Sequence, residues 1–337
     1  MTASPAAGVR PGSPARLLAG MGILLAAVVA TALLCSLVGQ AELSGPVWQL
    51  RIFRLAAAGT VGAALAAAGM ALQGLLRNPL AEPYILGISS GAGIGVLLGY
   101  ALAGWFALAS WATTPLLSLL GALVTCGIVY GIAQRRGRID PYALLLSGVI
   151  VNAFNGAIML AIFLLVPPRT ISSFASWAMG RLTDSVALAH PLLMLTCVAA
   201  ALLGWLAIFL RGPALNALGL GDDVAASTGV AVHRLRLEVF AVVSLMTAAA
   251  VALAGPIGFL GLIVPHICRL LVGPDHSRLA LVSGFGGAIF LMLADTFCRT
   301  AGEWARVGEI PVGILTALCG GPFFIFLLRR RLGGAGE

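Results

Sequence analysis

Apolar runs of about 20 residues recur along almost the whole of this chain, and each is long enough to cross a hydrocarbon core of roughly 30 Å as a helix. Length and apolar content mark ten of them, at residues 17–38, 51–76, 85–108, 114–134, 142–166, 190–211, 237–255, 257–273, 279–301 and 310–328. With 60% of 337 residues hydrophobic and 9% charged, little chain remains for a soluble domain. The expectation is an all-α, polytopic membrane protein with one transmembrane domain over 17–331 and short tails at 1–16 and 332–337. The first run is longer than a signal-peptide core of about 7 to 15 residues and reads as a retained helix.

Arginine supplies every one of the 20 basic residues; lysine is absent. With the N-terminus inside, fourteen arginines fall on inner segments and six (Arg51, Arg54, Arg169, Arg181, Arg299 and Arg306) on outer ones, which predicts that both termini are cytoplasmic. A Walker A loop needs a lysine on the β and γ phosphates, so any ATP must be bound by a partner. The six cysteines lie singly in apolar segments, and His190, His233, His266 and His276 are isolated, with no pattern for a metal or a catalytic group.

Charge inside the spans is scarce. Asp295 is followed at i+4 by Arg299, leaving open a local ion pair or a proton relay of an ion-coupled carrier. Arg51 and Arg54 share a helix face where the second span begins, and Arg299 and Arg306 lie at the outer end of the ninth; such arginines suit lipid headgroups or the acidic side chains of an external protein.

The second span carries Gly62, Ala66, Gly69 and Gln73 on one stripe, a pattern for close helix packing with Gln73 bonding across. "GISSGAGIG" lacks the setting of a dinucleotide site and reads as further packing. "LLRNPLAEPYILGISSG" reads as a tight cytoplasmic turn, with Pro79 and Pro83 stopping the helix and Glu82 pairing with Arg77 or with a partner. "ISSFASWAMGRL", too short to span, reads as an interfacial helix with Trp177 at headgroup depth. The loop at about 212–237 contains "GLGDDVAASTGV", a short helix with Asp222 and Asp223 in its first turn and Gly229 at its stop, serving as a connection or as a peg for a partner.

Three blocks, "RIFRLAAAGTVGAALAAAGMALQGLLRNPLAEPYILGISSGAGIGV", "GPIGFLGLIVPHICRLLVG" and "GEIPVGILTALCGGPFFIFLLRRR", closely resemble the FecCD-type permease subunits of ABC importers for iron-siderophores, haem and vitamin B12. The resemblance runs from about Arg51 to Arg331. It implies a type II ABC importer permease fold in the bacterial inner membrane, a homodimer, two separate ATPase subunits carrying ATP and magnesium, and a periplasmic or lipid-anchored binding protein. The chain itself would hold no cofactor or metal, catalyse nothing and bind no nucleic acid. Residue by residue, it implies docking of the binding protein at Arg51, Arg54 and Arg299, with no firm counterpart for Arg306. ATPase coupling maps to Leu218, Gly221, Asp222, Asp223, Ala226 and Gly229, although "GDD" stands where relatives commonly have Gly then Glu. The translocation path maps to the fifth span, where Gly148, Val151, Asn152, Asn155 and Met159 share a face; for both asparagines, interhelical hydrogen bonding and pore lining stay open. Family breadth favours an iron chelate as cargo, with cobalamin as the alternative.

Overall fold

The computed structural model describes residues 14–39, 45–106, 110–135, 138–182 and 191–333. Among them are thirteen α-helices: α1 (Pro14–Leu37), α2 (Gly45–Leu76), α3 (Ile88–Phe106), α4 (Ser110–Ala133), α5 (Pro141–Phe163), α6 (Pro168–Ala178), α7 (Pro191–Leu210), α8 (Gly212–Gly219), α9 (Asp222–Ser227), α10 (Val232–Ala254), α11 (Leu260–Val272), α12 (His276–Ala305) and α13 (Val312–Gly333). A two-residue antiparallel pairing, Gln134–Arg135 with Arg138–Ile139, links α4 to α5. Eight helices are long and apolar enough to cross a membrane, and two shorter apolar ones, Ile88–Gly104 and Leu260–Val272, bring the apolar helices to the ten expected. His190 lies outside the described residues.

Helix α2 is the axis of the bundle. Its most apolar stretch is 78% buried, against 6% for α1, and α10 and α12 pack beside it. Small residues make this possible. A Cβ placed on Gly62 would come 2.1 Å from the carbonyl oxygen of Gly287 in α12, and one on Gly69 equally close to that of Gly261 in α11. With no side chain between them, the backbones touch. Gln73 completes the predicted stripe, donating from Nε2 to the Gly261 carbonyl (3.1 Å) and accepting from Arg269 Nη2 (3.0 Å). The glycines of "GISSGAGIG" pack as expected, with Gly91 against Gly121 of α4. At 32 residues α2 is about 48 Å long and reaches both ends of the bundle.

The turn after α2 departs from expectation. Arg77 closes the helix at φ +50°, with its N–H on the Gly74 carbonyl (3.3 Å) and that of Asn78 on the Gln73 carbonyl (3.1 Å), a Schellman motif. Asn78 Oδ1 then accepts the Leu80 N–H (3.1 Å), and Pro83–Leu86 forms one 3₁₀ turn. Glu82 turns away from Arg77: its carboxylate accepts the backbone N–H of Phe259, while Tyr84 Oη accepts that of Ile257 (2.9 Å). The segment therefore folds back into the bundle.

What it meets there is a break. The expected eighth span, 257–273, is only the 13-residue α11, about 20 Å long, because Gly255, Pro256 and Gly258 interrupt the helix and Phe259 sits at φ +64°. A helix start leaves N–H groups without intrahelical partners, and Glu82 takes one of them. Helix α6 forms where an interfacial helix was expected, but Trp177 is half-buried and its carbonyl packs on Gly255 at the break.

Candidate functional site

Two clusters of charge mark the two ends of α2. At its start, Arg54 binds Asp295 of α12 through two bonds (Nε to Oδ2, 2.8 Å; Nη2 to Oδ1, 3.0 Å) and donates from Nη1 to Glu309 (3.0 Å). Arg181 Nη2 holds the other oxygen of Glu309 (3.0 Å). Burial alone would raise the Glu309 carboxyl, but the Arg54 and Arg181 guanidinium groups outweigh it and hold it below the usual carboxylate range. The predicted i+4 pair of Asp295 with Arg299 is corrected: Asp295 turns to Arg54, and Arg299 turns to the C-terminal carbonyls of α1. Its Nη2 donates to Val38 O (2.8 Å), and Arg51 Nη1 donates to Ser36 O (3.0 Å). Arginines suit a helix C-terminus, where the free carbonyls concentrate partial negative charge.

Arg51, Arg54 and Arg299 are thus not an exposed rim. All three are buried, and Arg51 and Arg299 lie on the floor of an open crevice of about 420 Å³ that Glu303, Arg306 and Glu309 also line. Arg306, in the left-handed region at φ +55°, stands exposed at its edge. Glu309 and Arg181 were missed in the sequence, because nothing local to "RVGEIP" or "MGRL" shows that distant loops converge on Arg54.

At the other end, α8 and α9 form a two-helix hairpin. Leu220 (75% exposed) and Val224 (43%) project from it, with Asp223, Ala226 and Gly229 also exposed. Leu218 is corrected to an interior position, since its side chain is fully buried. Asp222, half-exposed, bonds Arg77 and Arg236 (Nη2, 2.9 Å) within the subunit, while Gly221 takes the positive φ (+127°) that joins the two helices. Asn216, unmarked in the sequence, clamps α8 to the start of α12: Nδ2 donates to Asp275 Oδ2 (2.9 Å), and Oδ1 accepts the His276 N–H (2.8 Å).

The face of α5 chosen from spacing is its packed face. Gly148 meets the Ile85 carbonyl, Val151 is buried, Asn152 Nδ2 donates to Tyr84 O (3.4 Å), and Met159 packs on Gly93. Asn155 donates to Ser90 Oγ (3.0 Å) and Thr125 Oγ1 (3.3 Å), so of its two readings the structure shows interhelical bonding. A cavity lining is corrected accordingly: within one subunit the exposed face of α5 is instead Leu146, Val149, Ile150, Phe154 and Leu160.

A bundle of membrane-length helices with an arginine-floored crevice at one end and a projecting hairpin at the other is the build of a polytopic membrane protein. The chain belongs to the FecCD transport family, whose family model matches residues 17–330, and it is an ABC importer permease. It is 41% identical over 287 residues to the cobalamin import system permease protein BtuC of Halobacterium salinarum, covering 84% of this chain and 73% of that one. It is 36% identical over 298 residues to the hemin transport system permease protein HmuU of Yersinia pestis, covering 85% and 84%. Among solved structures, a metal-chelate type ABC transporter in an inward-facing conformation superposes with a TM-score of 0.79 at 29% identity, over 94% of this chain and 99% of that one.

Proposed function

We propose that two copies of this chain form the path by which a metal chelate enters a bacterial cell through the inner membrane, driven by two ABC ATPases that carry ATP and magnesium. The hairpin end and both termini face the cytoplasm, as the arginine distribution favours. The observation that carries the reading is the α8–α9 hairpin, whose exposed Leu220 and Val224 beside Asp223, Ala226 and Gly229 offer an apolar tip with one charge to a groove on the ATPase. At the opposite end the crevice over Arg51 and Arg299, with Arg54 beneath, receives acidic side chains of a binding protein. Alternating access follows if closure of the ATPases moves the hairpins and so switches which side of the dimer is open.

Iron-siderophore or haem is the first reading of the cargo, supported by the haemin permease among the relatives. Cobalamin is the second, favoured by the 41% identity to a cobalamin permease. The test is reconstitution in proteoliposomes with the cognate ATPase and binding protein, offering haemin, a ferric hydroxamate and cyanocobalamin in turn. ATP-dependent, vanadate-sensitive uptake of one of them is expected. Uptake that survives ATP depletion and collapses with an ionophore would instead make this an ion-coupled carrier.

A further inference from the structure

Asp222 sits on the hairpin, and its half-exposed side chain bonds to two arginines of the same subunit. Its Oδ1 accepts from Arg77 Nη2, at the end of α2, and from Arg236 Nη2, near the start of α10 (2.9 Å). Arg236 is buried, and among the described residues its Nε has no hydrogen-bond partner, so the guanidinium depends on Asp222 for its pairing. Asp223, one residue on, is exposed.

The backbone under Arg77 gives this arrangement its meaning. Arg77 occupies the C′ position of the motif that closes α2, at φ +50°, where glycine is favoured because it has no Cβ to clash. An arginine there is conformationally unfavourable, and its ion pair with Asp222 is about 40% exposed on both sides, a setting in which pairs contribute little to stability. Stability does not account for an arginine at this position. A mechanical link does: α2 is the most buried of the long helices, and its far end carries Arg51 and Arg54.

We infer that Arg77, Asp222 and Arg236 form the link through which movement of the α8–α9 hairpin is delivered to α2 and α10, so that Asp222 is a positioning residue inside the permease and not a contact of the ATPase. The inference rests on the coupling reading above and adds the route. A rigid helix seized at one end carries displacement to the other, here to the arginine floor of the crevice.

Arg77→Gly is the informative variant, because glycine suits the backbone and a folding defect is not expected. In proteoliposomes with the cognate ATPase and binding protein, Arg77→Gly and Asp222→Asn should bind the ATPase as the unaltered permease does and melt at no lower temperature for Arg77→Gly. Stimulation of ATP hydrolysis by the binding protein should fall at least about fivefold in both, the low end of ordinary coupling between sites. Asp223→Asn should do the reverse, weakening ATPase association while leaving stimulation per bound ATPase unchanged. Full stimulation in Arg77→Gly, or weakened ATPase association in Asp222→Asn, would overturn the link. Failure of the unaltered permease to bind the ATPase would instead refute the coupling reading, and the two failures are separately visible.

Discussion

Arg54 and Asp295, 241 residues apart in sequence, grip each other through two hydrogen bonds with side chains only 4% and 3% exposed. In this structure the Asp295 carboxylate is therefore one half of a buried ion pair that joins two helices. The pair ties the start of α2 to α12, and Glu309 extends it to Arg181.

Replacing Asp295 by Ala strands the buried Arg54 charge without its main partner and is expected to destabilise the subunit by about 3–5 kcal/mol. The double variant Arg54→Met with Asp295→Leu removes both charges and should be less destabilised than Asp295→Ala alone. Thermal unfolding in nanodiscs measures both; a double variant that melts below the single one would show that the pair itself supplies net stability.

Glu82 makes stability depend on pH. Burial pushes its carboxyl from the ordinary 4.5 up to about 7, against the opposing pull of the Phe259 N–H. The folded state thus holds this proton more tightly than the unfolded chain, so its contribution is full below pH 4.5, declines as pH rises, and levels off above about 7. Glu82→Gln keeps an acceptor for Phe259 and should flatten this part of a melting-temperature profile, while Glu82→Ala should lower the profile at every pH. An unchanged slope in Glu82→Gln would place the titrating group elsewhere.

Gly62 and Gly69 leave no room for a methyl group. Gly62→Ala sets its Cβ against the Gly287 carbonyl, a backbone atom that cannot swing aside, and should cost about 1–3 kcal/mol. Gly69→Leu, against Gly261, should prevent accumulation of folded protein, read as loss of the monodisperse peak on size-exclusion chromatography.

Cysteines introduced along α5 distinguish its two faces. Phe154→Cys or Leu146→Cys, on the exposed face, should cross-link two copies or react with a polar maleimide. Asn155→Cys should do neither, and should lose about 1 kcal/mol from the bonds to Ser90 and Thr125. Ready labelling at 155 with none at 154 would restore the face first read from the sequence.

Element placement was legible because membrane solvent imposes length and apolarity on each helix, and the Gly62, Ala66, Gly69, Gln73 stripe announced its packing through residue size alone. Facing was less legible. On α5 both sides are apolar, so spacing could not decide between interhelical bonding and path lining for Asn152 and Asn155, and the structure shows the bonds. Asp295 has Arg299 at i+4 and a better-placed partner 241 residues away, and local spacing cannot rank the two. Asp222 and Asp223 are adjacent letters, and only the first bonds to Arg77 and Arg236, residues that local spacing does not bring near it. The boundary between 237–255 and 257–273 is legible at the break, but not that the next helix begins only at Leu260, because hydropathy does not register where a backbone loses its hydrogen bonds.

That break has a consequence for how the chain is made. Its N–H groups at Ile257 and Phe259 are satisfied by Tyr84 and Glu82, residues synthesised 173 and 177 positions earlier. A peptide N–H left bare in lipid costs several kcal/mol, so α11 is poorly suited to enter the bilayer on its own as it leaves the ribosome. Altering "AEPY" is therefore expected to lower the fraction of nascent chains in which α11 is inserted, read by protease protection or glycosylation mapping of the eighth span.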